Sequence, residues 1–222
     1  MHTNTPTSEV YNMDCLAAMR EMPDKAFELA IVDPPYGIGK DGARGDAHRK
    51  AYKFKAWDSD IPTEEYFTEL FRASKNQIIW GANYFCKFLP KSMGWVFWDK
   101  GQRISQSDGE LAFTSFERAL RVFDCNRFHI ARDGAIHPTQ KPIALYKWLL
   151  QNYAKPGDTI LDTHLGSGSS RIAAYDMGFD FTGYELDAEY FNASDVRFKN
   201  HISNLKLFAP DEMYRPEQAR MF

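Results

Sequence analysis

Short apolar stretches rich in β-branched and aromatic residues alternate along this sequence with longer segments of helical periodicity. This alternation is typical of a largely parallel sheet covered by helices on both faces. We predict seven strands, namely Glu9–Tyr11, Phe27–Val32, Gln77–Trp80, Trp95–Trp98, Leu111–Ser115, Thr159–Asp162 and Phe181–Tyr184. We predict helices at Cys15–Glu21, Thr63–Lys75, Ala82–Leu89, Ile143–Tyr153, Ser169–Met177 and Ala188–Asn200. With 222 residues, the chain suits a single α/β domain spanning 1–222 better than two independent ones.

The composition excludes several classes of protein. Hydrophobic residues make up 44% and charged residues 26% of the chain, which is ordinary for a globular domain and argues against wholesale disorder. No apolar run approaches the roughly 20 residues needed to span a bilayer, and Met1–Glu9 lacks a secretory pattern. We therefore expect a cytoplasmic protein without membrane association. The widely spaced cysteines and histidines predict neither a disulfide framework nor a bound metal.

Two irregular stretches, 37–61 and 122–137, interrupt the regular pattern. In a doubly wound sheet, ligands bind where loops leave the carboxyl ends of strands, so both stretches are candidates for substrate contact. The first holds a local excess of cations that could meet DNA phosphates, and our DNA-binding candidates within it are Lys40, Arg44, Arg49, Lys50 and Lys53. A solvated charged loop is the alternative, and the net charge of −3 is mildly against nucleic-acid binding.

The tetrapeptide Asp33-Pro34-Pro35-Tyr36 directly follows the apolar strand that ends at Val32. At ordinary residue frequencies it occurs by chance in about one chain in a thousand of this length. Two consecutive prolines end the hydrogen bonding of a strand and fix the backbone, because neither has an N–H group and each ring restricts φ. The motif predicts a stiff loop that presents an acidic and an aromatic side chain.

Methylation of an exocyclic amino group on a nucleobase requires such a pair of side chains. The nitrogen lone pair is delocalised into the ring, so acceptors must hold the two amino hydrogens before the lone pair can face an activated methyl group. We predict that the Asp33 carboxylate and the Pro34 carbonyl accept these hydrogens, while Tyr36 stacks on the base. A base in a duplex must leave the helix to reach this site.

A glycine-rich segment, Asp162 to Ser170, joins one predicted strand to a helix. Gly166 and Gly168 would let the backbone approach a ligand closely. Glu185 ends the next strand, from which a carboxylate binds ribose hydroxyls in βαβ units. The third glycine of a dinucleotide-binding loop is replaced by Arg171, so the pattern favours an adenosine-containing ligand over a dinucleotide.

The order of these motifs resembles that of the beta class of DNA amino-methyltransferases, in which the catalytic tetrapeptide precedes the cofactor loop. The segments His137–Pro142 and Asn12–Cys15 also resemble motifs of this family. The resemblance extends from about Val10 to Arg197. It implies a Rossmann-like S-adenosylmethionine-dependent methyltransferase fold, S-adenosylmethionine as cofactor, double-stranded DNA with a flipped target base as substrate, and a prokaryotic or phage origin.

The resemblance also implies individual roles. The catalytic residues would be Asp33, Pro34, Pro35 and Tyr36. The residues implied for cofactor binding are Asp14, Asp33, Thr139, Lys141, Asp162, Gly166, Gly168 and Glu185. Asp14 is expected near the adenine ring, and Thr139 and Lys141 near the methionine end, where a cationic lysine suits a carboxylate. The chain departs from the family at His164-Leu165, where Phe and a small residue are usual, and at Ser169, where Thr is usual.

Several alternatives stay open at this point. Asp33 favours the N6 amine of adenine, because family members acting on the N4 amine of cytosine often have serine there. RNA or a glutamine side chain as the substrate, or a catalytically silent nucleic-acid-binding subunit with the same fold, are further alternatives. Symmetric dimers are the commonest oligomers, so a homodimer is an open expectation.

The charged stretch makes a prediction about salt dependence. Each neutralised phosphate contributes about −0.9 to the slope of log affinity against log salt. Replacing Arg49, Lys50 and Lys53 together by alanine should therefore flatten the slope for DNA binding by up to about 3 and leave cofactor binding unchanged. Parallel salt slopes for the triple variant and the parent would assign the stretch to a solvated surface.

Overall fold

The computed structural model describes residues 5–39, 58, 60–102, 107–125, 136–137 and 139–207. Within these ranges the chain forms a single eight-stranded sheet in the order β1-β8-β7-β2-β3-β5-β4-β6. The strands are β1 Ser8–Tyr11, β2 Phe27–Val32, β3 Ser74–Trp80, β4 Trp95–Asp99, β5 Gly109–Thr114, β6 Arg121–Asp124, β7 Thr159–Asp162 and β8 Asp180–Tyr184. The helices are α1 Cys15–Glu21, α2 Glu64–Ala73, α3 Ile143–Tyr153, α4 Ser169–Asp176 and α5 Ala188–Leu207, with 3-10 turns at Ala82–Tyr84 and Cys86–Phe88.

The strand order reverses between β7 and β2. From β7 the chain crosses to β8 on one side, whereas from β2 it crosses to β3 on the other. β2 and β7 are parallel neighbours, with Leu29 opposite Ile160 and Ala30 opposite Leu161. Their carboxyl ends therefore lie side by side, and the connections that follow them diverge. In open α/β sheets this divergence creates the crevice in which ligands bind.

The residues of β2 alternate between two hydrophobic clusters, one on each face of the sheet. Leu29 and Ile31 belong to the cluster that contains the buried residues of α3 and α4. Ala30 and Val32 belong to the cluster that contains those of α1 and α2. A strand buried on both faces reads as a continuous apolar run, which is why β2 was recognisable from the sequence. The predicted α/β architecture with helices on both faces is confirmed.

The sheet is mostly parallel, as predicted, but the number of strands differs from the prediction. The structure has an eighth strand, β6, where we expected the start of an irregular stretch at residue 122. β6 lies at the sheet edge, parallel to β4, and most of its side chains are exposed, so it lacks the apolar pattern of an internal strand. β5 runs antiparallel to both of its neighbours, so the sheet is mixed although most of its pairs are parallel.

Two predicted helices also differ. The segment 82–89 forms two short 3-10 turns in place of one helix. The helix predicted to reach Lys75 ends at Ala73, because Ser74 already starts β3 and its hydroxyl donates to the Leu70 carbonyl. The proposed phosphate-contacting residues and the tail beyond 207 lie outside the described residues. Within the described ranges, no helix is long and apolar enough to cross a membrane, and no group of His, Cys, Asp and Glu has metal-binding geometry.

Gly81, which follows β3, provides a test of how the loop Asp33–Tyr36 packs. It has φ +68°, and a Cβ placed on it would lie 2.1 Å from a ring carbon of Tyr36. We predict that Gly81→Ala displaces the Tyr36 ring and lowers the free energy of unfolding by about 2–4 kcal/mol, combining left-handed strain with overpacking.

Gly178→Ala is the matched control for this substitution. Gly178 has a similar φ of +78°, but a Cβ there meets nothing within 4 Å. The Gly178→Ala substitution should lower the free energy of unfolding by the cost of left-handed backbone strain alone, about 1–2 kcal/mol. Urea unfolding measures this loss. Equal losses in the two variants would show that Tyr36 does not pack against Gly81 in solution.

Candidate active site at the carboxyl ends of β2 and β7

The tetrapeptide Asp33–Tyr36 leaves the carboxyl end of β2 and enters the crevice between β2 and β7. Because the two prolines have no N–H group, the first backbone donor after Asp33 is the amide of Tyr36. This amide and that of Gly37 both donate to the Asp58 carboxylate, at 2.7 and 2.9 Å. Asp58 is buried, with 2% exposure. The loop is thus fixed by proline geometry and by one buried carboxylate.

Asp33 belongs to a cluster of alternating charges. One carboxylate oxygen of Asp33 accepts from the Lys141 ammonium at 2.5 Å, and the other accepts from the Tyr36 hydroxyl at 2.6 Å. The Lys141 ammonium is also 3.0 Å from the Glu110 carboxylate. Glu110 in turn lies 2.6 Å from the Lys100 ammonium. Two cations and two carboxylates therefore alternate from the end of β2 to the hairpin of β4 and β5.

The protonation states in this cluster depend on one another. Burial raises the pKa of Asp33, the Lys141 ammonium opposes the rise, and the Glu110 carboxylate adds to it. Burial lowers the pKa of Lys141, but Asp33 and Glu110 outweigh this and raise it above its ordinary value. Burial would raise the pKa of Glu110, yet Lys141 and Lys100 bring it down to about 2. The cluster is electrically balanced when Asp33 is ionised.

The Tyr36 ring lies between two neighbours. Gly81 packs against it so closely that an added Cβ at Gly81 would lie 2.1 Å from a ring carbon. The ring of Tyr84 stacks on it with a centroid distance of 5.2 Å and an interplanar angle of 16°. Tyr84 itself is 43% exposed. The loop Asp33–Tyr36 therefore carries an aromatic ring that is covered by a side chain open to solvent.

The glycine-rich segment runs from the end of β7 to α4 and provides the second half of the site. The buried Asp162 carboxylate accepts from the Ser170 hydroxyl at 2.5 Å and from the His164 amide at 3.0 Å. Burial raises its pKa to about 7, and Asp33 is close enough to contribute to that rise. Gly166 and Gly168 have φ of +51° and +71°, a backbone that favours glycine.

Glu185 at the end of β8 faces this segment. Its carboxylate accepts from the amides of Gly166 and Asp187 at 2.8 and 2.9 Å, one on each oxygen. Each oxygen retains a further lone pair, so the group can still accept hydroxyl hydrogens. A Cβ placed on Gly166 would meet nothing closer than 3.9 Å. An open glycine backbone beside a carboxylate with spare acceptor capacity fits an adenosine ribose.

The other residues predicted to bind the cofactor are Asp14, Thr139 and Lys141. The Asp14 carboxylate caps α1 by accepting from the Leu16 amide at 2.8 Å. Thr139 is tied through its hydroxyl, at 3.1 Å, to the ring of His137, whose edge is the nearest group to the open side of Gly166. The Lys141 ammonium lies on Asp33 and Glu110 and not on the glycine-rich segment.

His164, at the position where the family usually has Phe, is held by its neighbours. Its ring nitrogen Nδ1 is 2.9 Å from the Thr163 hydroxyl, which is 2.7 Å from the Tyr66 hydroxyl. Its ring packs edge-on against that of Tyr66. Burial lowers the pKa of His164 to about 4, so the imidazole is neutral at physiological pH. A neutral, partly buried ring at this position packs much as an aromatic hydrocarbon side chain would.

The sequence did not point to Glu110, Lys100 or Asp58. Each is a single charged residue without a motif around it, and each reaches the site through strand register or a loop. The available signal was weak: Lys100 and Glu110 flank the turn between two apolar strands, where an exposed ion pair is the ordinary expectation. Only the fold shows that the pair faces the crevice.

Comparisons with known proteins agree with this geometry. A family model described as DNA methylase, N6_N4_Mtase, matches residues 90–195. The Type II methyltransferase M.HpaI of Haemophilus parainfluenzae is 22% identical, over 86% of this chain and 74% of that enzyme. The Type II methyltransferase M1.MboII of Moraxella bovis is 21% identical, over 85% of this chain and 95% of that enzyme.

Solved structures show the same fold. The complex of M1.HpyAVI with SAM superposes with a TM-score of 0.59 at 19% identity, covering 85% of this chain and 98% of the other. The cytosine-N4-specific PvuII DNA methyltransferase superposes with a TM-score of 0.60 at 12% identity, covering 91% and 93%. The fold is that of S-adenosylmethionine-dependent methyltransferases. Together with the family model and the Type II relatives, it supports the resemblance of the chain to the N6/N4 DNA amino-methyltransferases.

The position of Glu185 yields a prediction about cofactor binding. Glu185→Ala leaves the ribose hydroxyls and two backbone amides without their acceptor, so the affinity for S-adenosylmethionine should fall by about 1–3 kcal/mol. Calorimetric titration measures this directly. Glu189→Ala removes the same charge from an exposed position in α5 and should bind like the parent. Unchanged affinity in Glu185→Ala would remove Glu185 from the cofactor site.

Proposed function

We propose that this chain transfers a methyl group from S-adenosylmethionine to the exocyclic N6 amine of adenine in DNA. The observation that carries the proposal is the position of Asp33 and Asp162 at the adjoining ends of β2 and β7, where one ligand can lie beside each loop. The comparisons support the chemistry, since the matching family model is described as DNA methylase and a structure with the same fold is a DNA methyltransferase.

On the cofactor side, the ribose would be held by Glu185 and the backbone of the segment from Asp162 to Gly168. The neighbouring residues Asp14 and Thr139 would contact the remainder of the ligand. The bound cofactor supplies an electrophilic methyl group on a sulfonium centre. The residues of the chain contribute orientation and the exclusion of water from the crevice.

On the base side, Asp33 and the Pro34 carbonyl would accept the two hydrogens of the target amine. Pro34 is buried, so its carbonyl position is fixed before the base arrives. With both hydrogens held, the nitrogen lone pair turns toward the methyl group. As the amine takes up the methyl group that the bound cofactor would supply, the Asp33 carboxylate would stabilise the positive charge on nitrogen and would accept the proton that the amine loses.

The target base would stack on the Tyr36 ring after leaving the DNA helix. In the structure Tyr84 covers that ring at a centroid distance of 5.2 Å. Two aromatic rings with a base between them need about twice the stacking separation of a single pair, so Tyr84 has to move aside or open outward. Tyr84 is exposed and lies on a short 3-10 turn, so Tyr84 is the neighbour of the Tyr36 ring that can move. Gly81, the other neighbour, directly follows β3.

The choice of adenine over cytosine comes from the resemblance at position 33. Asp33 is the residue that N6-adenine members usually have there, and the cytosine-N4-specific PvuII enzyme shares the fold. Both bases offer an amine next to a ring nitrogen, so the same chemistry serves either. Nucleoside mass spectrometry of DNA treated with the protein and S-adenosylmethionine distinguishes them, and we expect N6-methyladenine. N4-methylcytosine would correct the target base and retain the mechanism.

The role of Asp33 is tested by substitution. Asp33→Ala removes an acceptor of the target amine, so methyl transfer should fall by about 10²- to 10³-fold or more while cofactor affinity changes only a few-fold. Asp24→Ala is the control, because Asp24 is an exposed acidic residue ahead of β2 whose side chain is 77% accessible. Full activity in Asp33→Ala would exclude the proposed mechanism. A parent protein that transfers no methyl group to DNA would exclude the proposed function.

A further inference from the structure

Lys141 was expected from the family resemblance to contact the methionine end of the cofactor, and in the structure its ammonium is already bonded to other side chains. Its side chain is 2% exposed, and its ammonium bonds to Asp33, Glu110 and the Tyr36 hydroxyl at 2.5, 3.0 and 3.2 Å. An ammonium has three hydrogens, and these three acceptors use all of them. No donor is left for a carboxylate of the cofactor.

The approach of Lys141 to this position is fixed by local structure. The turn before it is closed by the Gln140 amide, which donates to the His137 carbonyl at 3.2 Å, and by the Gln140 side chain, which accepts from the Ile136 amide at 3.0 Å. Pro142 follows directly and precedes α3. The ammonium lies over the Trp80 ring, 5.3 Å from its centroid. The lysine is therefore held on both sides and has little freedom to turn toward another ligand.

Stability does not account for this arrangement. Buried ion pairs are often no better for stability than apolar residues of the same size, because desolvation offsets the attraction between the charges. Here four charged side chains meet beside the catalytic tetrapeptide, and the ammonium at their centre contacts the one carboxylate to which we assign the target amine.

We infer that Lys141 is a positioning residue for methyl transfer, which holds Asp33 ionised and correctly turned to accept the hydrogen of the target amine. This inference rests on the proposed function. A protonated Asp33 would carry its own hydrogen on one oxygen and so compete with the amine as a donor. Lys141 opposes protonation of Asp33 because its ammonium donates to one carboxylate oxygen, while the Tyr36 hydroxyl donates to the other.

Glu110 and Lys100 determine how strongly Lys141 favours the ionised form of Asp33. Glu110 shares the ammonium with Asp33, and its own negative charge favours protonation of Asp33. Lys100 neutralises part of Glu110 from the far side. The other titratable groups around Asp33 are the hydroxyls of Tyr36, Tyr66 and Tyr146 and the carboxyl of Asp162, whose pKa values are raised by burial and, in part, by Asp33 itself.

Replacing Lys141 and replacing Glu110, the two inner members of the cluster, should shift the pH dependence of methyl transfer in opposite directions. Lys141→Met removes the cation and keeps an unbranched side chain of similar length. The turnover rate should fall by about 100-fold at neutral pH and recover at least about tenfold toward pH 9, because Asp33 then ionises only at higher pH. Lys141→Arg keeps the charge and should restore most of the activity at neutral pH. Glu110→Gln removes the competing carboxylate and should move the acid limb of the pH–rate profile to lower pH.

A second readout does not depend on activity. Carboxyl carbons of aspartate labelled with ¹³C report ionisation by NMR, and the Asp33 signal is identified by its absence in Asp33→Asn. We expect its titration midpoint to rise in Lys141→Met and to fall in Glu110→Gln, relative to the parent. If Lys141→Met does not fold, the Glu110→Gln comparison alone decides, since its sign is set by the same cluster.

The outcomes separate the two claims. A parent without methyl transfer, but with the expected opposite shifts of Asp33, would reject the proposed function and retain the charge coupling. An active parent in which folded Lys141→Met loses activity equally at every pH, or in which Asp33 titrates alike in all variants, would overturn the inference for Lys141.

Discussion

The contact between the Lys141 ammonium and the Asp33 carboxylate, which is mostly removed from water, favours the ionised form of Asp33. Without this contact, removal from water would favour the neutral acid and so take away the acceptor that we propose for the target amine. The contact joins the end of β2 to the segment before α3. Lys141 lies 105 residues after Tyr36 and 108 residues after Asp33 in the sequence. Glu110 and Lys100 extend the same pattern of charges into the β4–β5 hairpin.

The reversal of strand order places this cluster next to the glycine-rich segment. The tetrapeptide Asp33–Tyr36 follows β2 and the glycine-rich segment follows β7, and the two strands are hydrogen-bonded neighbours although about 130 residues separate their paired positions. Cofactor and base can therefore be bound by separate loops that still share one crevice. The fold explains why the order of the two motifs along the chain has no bearing on their distance in space.

Much of the fold could be predicted from the sequence, because internal strands and amphipathic helices have strong patterns. β2, β7, α1 and α3 have the predicted bounds. β6 was missed because an exposed edge strand shows no apolar run, and residues 82–89 have helical periodicity but form 3-10 turns beside Gly81. For the site, the motifs led to Asp33, Asp162 and Glu185. Glu110, Lys100 and the contacts of Lys141 depend on strand register and burial, which no local pattern encodes.

The central claim is that cofactor and target base meet between the ends of β2 and β7, and a crystal structure with S-adenosylmethionine bound tests it most directly. We predict that the ribose lies against Glu185, that the methyl group faces the loop from Asp33 to Tyr36, and that the Lys141 ammonium stays on Asp33 and Glu110. A cofactor whose ribose lies away from Glu185, or whose carboxylate draws Lys141 off Asp33, would contradict this account.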